Sequence, residues 1–176
     1  MGCDIHMYVE YISPEVLEKN PETSWRDFGG RINPGRDYEL FTQLAGVCGR
    51  PAKTEPVAAG RGLPEGLAYA SRDDSRLRVV PDDEEAGEGE VCMSRALEWA
   101  KYGSKFIPLR DNPLYWIEHP DWHSASWCTA AELQIAMRRS SKKWGGPGVE
   151  YYAVLGACRA LERQGQRVRI VMWFDN

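Results

Sequence analysis

The sequence predicts an α+β fold: a small mixed or antiparallel sheet containing both terminal strands, covered by three to four helices. Three observations carry this expectation. Residues 3–11 alternate, with Cys3, Ile5, Met7, Val9 and Tyr11 on one side and Asp4, His6, Tyr8 and Glu10 on the other. Residues 167–175 alternate as well, an apolar row of Val168, Ile170, Met172 and Phe174 against a mixed row of Arg167, Arg169, Val171, Trp173 and Asp175. A period of two is the signature of a strand whose faces differ. Between these strands, four stretches carry helical periodicity and helix-end residues.

The first helix starts after Pro34-Gly35 with Asp37 as N-cap, and Leu40, Phe41, Leu44 and Ala45 form its apolar stripe. Gly46 or Gly49 ends it. The second begins near Ser94 and ends at Gly103, a typical C-terminal residue. The third begins at Thr129, which forms a capping box with Glu132, while Cys128 and Leu133 supply a hydrophobic staple. The fourth covers about 149–164 and ends at Gly165. Its inner face reads as Val149, Tyr152, Ala153, Gly156, Ala157, Ala160 and Leu161. The stretch 48–90 is rich in Gly and Pro, lacks sustained periodicity and reads as a long irregular loop. Its acidic run, Asp82-Asp83-Glu84-Glu85 with Glu88 and Glu90, reads as a solvated surface.

Composition bounds the function classes. At 176 residues the sequence fits one domain over 1–176, large enough to fold without staples. The formal net charge of −4 argues against a general nucleic-acid binder, whose affinity rests on basic residues. Five cysteines, an odd number with no CxxC pair, favour reduced thiols in a reducing compartment. With no secretion signal and no apolar run of membrane-spanning length, a cytoplasmic protein is expected. Met1-Gly2-Cys3 resembles the start of a lipidation signal, but His6 stands where that pattern requires Ser or Thr.

Four places can host chemistry. Asp4 and His6 lie two apart on a strand, so their side chains share a face about 6.6 Å apart. A carboxylate and an imidazole can converge on zinc, manganese or iron. On its own, though, Asp-x-His is a weak signal, and the row reads more readily as the solvent-facing side of an edge strand. If the terminal strands pair antiparallel with their apolar rows on one face, Asp175 falls beside Asp4. Asp4, His6, His123 and Asp175 would then form a metal cluster able to activate water. The segment Asp121-Trp122-His123-Ser124-Ala125-Ser126-Trp127 precedes the third helix, whose N-terminus favours anions. There His123, Ser124 and Ser126 can bind an anion between Trp122 and Trp127, or the tryptophans can simply plug the core. Arg61, in Arg61-Gly62-Leu63-Pro64, can reach a phosphate, or can belong to an ordinary turn. Cys3 lies on the apolar face, where a buried thiol is inert.

Several of these segments together resemble a family of small, largely uncharacterised proteins of bacteriophages, prophages and bacteria. They are Met1-Gly2-Cys3-Asp4-Ile5-His6 with Glu10, Arg36-Asp37-Tyr38-Glu39-Leu40-Phe41, Arg61-Gly62-Leu63-Pro64, Asp121 to Trp127, and Trp173-Phe174-Asp175-Asn176. The likeness runs from the first residue to the last, and the opening hexapeptide is its most specific part. The stretch from Cys48 to Arg61 is short for that family. The resemblance implies a phage-related origin, hence the cytoplasm of a bacterial host, and brings no established activity.

Three functions compete on these residues. One is a metal-dependent hydrolase of a phosphate-containing or otherwise anionic small molecule, using zinc or manganese. The second is a non-catalytic binder that sequesters a nucleotide-like ligand or blocks a host protein. There Trp122, Trp127 and Trp144 would stack on a base while Arg36 or Arg61 met phosphate. The third is an interaction protein whose polar rows are plain surface.

Overall fold

In the computed structural model, which describes residues 2–49, 54–109, 112–140 and 146–175, the two alternating segments form strands β1 (Asp4–Ile12) and β8 (Arg167–Asp175). They pair antiparallel along their full lengths, from Asp4 opposite Asp175 to Ile12 opposite Arg167. Two further strands flank them, β2 (Arg26–Asp27) beside β1 and β7 (Trp122–Cys128) beside β8. β1 is therefore an interior strand of a four-stranded sheet rather than a solvated edge. The sequence grouping of the chain is twofold: one compact unit contains residues up to Ser71 together with those from His123 onward, and Arg72–Trp122 forms the other.

In the first unit, the expected apolar rows become the core. Cys3, Ile5, Met7 and Val9 join Ile170, Met172 and Phe174 beneath three helices, α2 (Tyr38–Ala45), α5 (Ala130–Arg139) and α6 (Val149–Arg163). Leu40, Phe41 and Leu44 of α2, Leu133 and Ala136 of α5, and Tyr151, Val154 and Cys158 of α6 are all buried there. Each large side chain so buried contributes roughly 1.5–3 kcal/mol. The helix ends follow local chemistry. The Asp37 carboxylate accepts from the Leu40 N–H at 2.9 Å, and Gly46 closes α2 in the left-handed conformation at φ 76°. Thr129 and Glu132 form the reciprocal capping box of α5.

The inner face of α6 differs from the one read in the sequence. Val149 and Tyr152 are exposed, whereas Tyr151, Val154 and Cys158 face inward. The small residues Ala153, Gly156 and Ala160 point to solvent. Small side chains suggest close approach to a sheet, but burial of the larger Tyr151 and Val154 removes more apolar area from water.

The second face of β1 and β8 is not the open polar row that alternation suggested. Tyr8, Val171 and Trp173 are buried, and so are Glu10 and Arg169. Glu10 accepts from Arg169 Nε at 2.7 Å, from the Ala68 N–H at 2.9 Å, and from the Ser71 hydroxyl. Arg169 also donates to the carbonyls of Glu65 and Gly66 at 2.9 and 3.1 Å and lies over the Trp25 ring at 4.0 Å. This pair folds residues 65–71 over the sheet and satisfies its own buried charges. Helix α1 (Pro14–Lys19) follows β1, and α3 (Tyr69–Asp74) begins at the end of the pinned segment.

The second unit holds its own four-stranded sheet, in the order β4 (Glu90–Cys92), β3 (Arg76–Val80), β6 (Asn112–Glu118) and β5 (Phe106–Leu109). β3 and β4 are parallel, and the other neighbours are antiparallel. Val79, Val91, Ile117 and Ala96 form its core, with Ala96 contributed by α4 (Met93–Lys101). The stretch 48–90 is thus not one irregular loop, because it contains α3, β3 and the start of β4. Its strands are too short, and too broken by Arg, to show an alternation. The acidic residues Asp82–Glu88 are exposed, as expected. Two carboxylates there serve local structure: Asp82 accepts from the Ser94 N–H, and Glu90 pairs with Arg78.

Candidate functional site

The antiparallel register brings Asp4 and Asp175 face to face, as expected if the terminal strands pair with their apolar rows on one face. The Asp175 carboxylate accepts from the backbone N–H of Asp4 at 3.1 Å through Oδ1. Its Oδ2 lies 2.8 Å from Nε2 of His6. On the other edge of the ring, His6 Nδ1 lies 3.1 Å from Oδ1 of Asn33. Asp4 is held by Arg36 in a two-pronged pair, Nε to Oδ1 and Nη2 to Oδ2, both at 2.6 Å. Bonding to Arg36 holds the Asp4 carboxyl below the ordinary aspartate range. Gly2 sits against this guanidinium: a Cβ there would come within 2.2 Å of Nη1. Gly2 therefore leaves room for the Arg36–Asp4 pair as it stands, and a side chain there would require the guanidinium to shift.

His6 is mostly buried while Asp4 and Arg36 are about half exposed. With Nε2–H donated to Asp175, Nδ1 is the nitrogen that faces Asn33. The Asn33 amide can present either its oxygen or its NH2 to that nitrogen. The arrangement is a carboxylate-oriented imidazole beside a partly exposed guanidinium. Such groups can move a proton and hold an anion.

His123 does not join this cluster. It lies on the core face of the sheet, stacked on Phe174 with ring centroids 6.2 Å apart. There its ligand nitrogen and the sulfurs of Cys3 and Cys48 all lie within 4.8 Å of one another. Among the described residues this is the only group of three or more histidine, cysteine or carboxylate ligands so close together. The expected constellation of Asp4, His6, His123 and Asp175 is accordingly divided between two faces, because His123 belongs to β7 and side chains alternate across a strand.

Cys3 and Cys48 form a disulfide with Cα atoms 6.2 Å apart. This corrects the expectation of five reduced thiols; Cys92, Cys128 and Cys158 are the free ones. An odd count and the absence of CxxC do not register a pair 45 residues apart, which forms because the chain after α2 returns to the start of β1. In the chain-entropy view a loop of that length is stabilised by about 4 kcal/mol when closed.

The other expected ligand-binding residues have structural partners. Arg61 donates to both carboxylate oxygens of Glu132, to the carbonyls of Trp127 and Val57, and lies 5.1 Å from the Trp127 ring centroid. It buttresses the capping box from outside. Glu132, bonded to Arg61, is held below the ordinary glutamate range. The α5 N-terminus thus already carries a carboxylate, and the segment before it is a strand rather than an open anion loop. Ser126 is buried and donates to the Ala58 carbonyl. Ser124 is exposed, and its Oγ lies 3.0 Å from His123 Nδ1. Trp122 stacks on His119 at 4.5 Å within the second unit. Met1, Trp144 and Asn176 lie outside the described residues.

Sequence reasoning missed Asn33 as a partner of His6 and Cys48 as a partner of Cys3. Asn33 directly follows Ile32, which bridges Met7 of β1, and the turn-prone run Asn33-Pro34-Gly35-Arg36 is the signal that could have pointed to it. No helix among the described residues is long and apolar enough to cross a membrane. Comparison with family models, curated proteins and solved structures finds no match for this chain.

Proposed function

We propose that this is a phage-related accessory protein that takes a phosphate-containing or otherwise anionic small molecule at the Asp4–His6–Arg36–Asp175 cluster and hydrolyses it. The observation that carries the reading is the 2.8 Å contact between His6 Nε2 and Asp175 Oδ2. It orients an imidazole that can take a proton from water once water or substrate displaces the Asn33 amide from Nδ1, a role worth typically 10²–10⁴-fold in rate. Arg36 supplies the anion contact. Its pair with Asp4 uses Nε and Nη2 and leaves Nη1 outside that pair. The segments that carry the resemblance to phage and prophage proteins, Gly2–His6, Arg36–Phe41 and Trp173–Asp175, are the ones that supply these side chains. That convergence supports a shared site over scattered surface residues.

One observation favours the second reading, a non-catalytic binder. Asp4, His6 and Arg36 are already bonded to protein partners, so a ligand could exchange for Asp4 on Arg36 without any proton transfer. Both readings are tested together. Phosphate and pyrophosphate binding is measured by calorimetry, and turnover is measured with aryl phosphate monoesters and diesters. Hydrolysis that falls at least 100-fold in His6→Ala, with a raised KM in Arg36→Ala, supports the enzyme. Binding that needs Arg36 but gives no turnover supports the binder. Neither binding nor turnover removes the anion site altogether.

A further inference from the structure

We infer that Cys3, Cys48 and His123 form a redox-gated zinc site: reduced, they hold the ion; oxidised, the two sulfurs close on each other and release it. This cluster lies on the opposite face of the first sheet from the proposed anion site, so the two proposals stand or fall separately.

The geometry of His123 points to a ligand. Its Nδ1 lies 3.0 Å from Ser124 Oγ. Donation of Nδ1–H to that hydroxyl leaves the lone pair on Nε2. Nε2 is buried and has no hydrogen-bond partner among the described residues. A buried imidazole nitrogen without a partner is costly, and a ring held at one nitrogen with the other presented is how metal-bound histidines are arranged. Two sulfurs lie within 4.8 Å of one nitrogen of this ring. The only non-glycine residues described with left-handed backbone are Cys48 and Ser124, at φ 59° and 54°. Both belong to this cluster, and such backbones collect at functional sites.

Two thiolates and one imidazole are a ligand set for zinc rather than manganese or magnesium. Tetrahedral bonds of about 2.3 Å would hold the sulfurs roughly 3.8 Å apart, a separation reached by side-chain rotation. Three protein ligands leave a fourth position for water or an outside ligand. The redox step balances with an external dithiol. The dithiol gives two electrons and two protons, the Cys3–Cys48 bond breaks to two thiols, and the dithiol becomes a cyclic disulfide. Zinc then displaces the two thiol protons. Oxidation by a disulfide runs the exchange backward and frees the ion.

The test uses the full chain in a Cys92→Ser background, which removes the partly exposed free thiol. Protein is reduced with a dithiol, desalted without oxygen, and titrated with Co2+ and then Zn2+. Expected are thiolate-to-cobalt charge-transfer and tetrahedral absorption bands that saturate at one ion per chain, bleach when zinc is added, and are absent in the oxidised protein. Adding an oxidised dithiol to the zinc form should release the ion to a chromogenic chelator. His123→Ala should weaken binding at least tenfold. Ser124→Ala, which keeps all three ligands and tests the same point without loss of packing, should weaken it roughly 10–100-fold. Reduced protein with an unchanged circular dichroism spectrum that takes up neither ion would overturn the proposal. So would wild-type affinity in both variants, which would leave an ordinary disulfide beside a histidine.

Discussion

Replacing Arg169 by Met is the most demanding test of how the first unit is held together. Glu10 is fully buried and Arg169 is 7% exposed. The substitution keeps most of the side-chain stem over Trp25 but removes the guanidinium. Glu10 then retains only the Ala68 N–H and the Ser71 hydroxyl, and the Glu65 and Gly66 carbonyls lose their donor. Removing one partner of a buried pair costs about 3–5 kcal/mol, because a charge is left uncompensated. In a chain of this size each kcal/mol moves the midpoint by about 2–4 °C. Thermal unfolding followed by circular dichroism should therefore fall by roughly 6–20 °C. Glu10→Gln combined with Arg169→Met keeps an acceptor for Ala68 and Ser71 and removes the stranded charge, so it should cost less than Arg169→Met alone. A loss under about 1 kcal/mol for Arg169→Met, or a double variant worse than the single, would refute the reasoning. The pair would then be no more than a surface contact.

Three other outcomes follow from the geometry. Arg61→Ala should cost about 1 kcal/mol at neutral pH, as for a partly exposed pair with added carbonyl bonds. Because Arg61 depresses the Glu132 carboxyl, that stability is present above the ordinary glutamate range and disappears as pH falls through the lowered value. The wild-type and variant acid-unfolding curves should converge there, and parallel curves would contradict the assignment. Gly2→Ala should push the Arg36 side chain off Asp4, raising the Asp4 titration midpoint in carbon-13 NMR while leaving the unfolding temperature nearly unchanged. An unmoved midpoint would mean that Arg36 does not need the space. In native alkylation, Cys92 should react while Cys128 and Cys158 stay protected, since burial pushes the Cys158 thiol up to about 12 and the Cys128 thiol higher still. Cys3 and Cys48 should become reactive only after reduction, and labelling of Cys128 at the Cys92 rate would refute this.

The elements legible in the sequence were those that local rules specify. Clean alternation marks β1 and β8, whereas Asp175 beside Asp4 follows only on the condition that the two strands are antiparallel neighbours, which the structure meets. Asp37 with Gly46, and Thr129 with Glu132, marked α2 and α5, because a cap is chemistry between residues three or four apart. What local rules cannot express was missed. The second sheet escaped because Arg76–Val80 and Glu90–Cys92 are short strands whose partners are set by tertiary pairing. The inward face of α6 follows the apolar area of Tyr151 and Val154, which a row of small residues at helical spacing does not reveal. At the site, Asp4, His6 and Asp175 share a face by alternation, and the antiparallel pairing of β1 with β8 brings them together. His123 was placed wrongly because the side of a strand its residue faces depends on where β7 docks. Glu10 looked like a surface carboxylate until Arg169, 159 residues away, supplied its counter-charge.

The pairing of β1 with β8 also sets a schedule for synthesis. Asp4 meets Asp175 across 171 residues, and closing so large a loop costs about 1 kcal/mol more than closing the 45-residue loop to Cys48. At about 5–20 residues per second, the last strand leaves the ribosome roughly 10–30 s after the first. Over that interval β1, apolar on one face and carrying Tyr8 and Glu10 on the other, has no long strand to pair with. Arg72–Trp122 is contiguous and can close its sheet in the meantime, with contacts of much shorter sequence separation. The nascent chain therefore spends its synthesis with an unpaired, aggregation-prone first strand. A chaperone, or an early crosslink from Cys3 to Cys48 that docks β1 on α2, would matter most during those seconds.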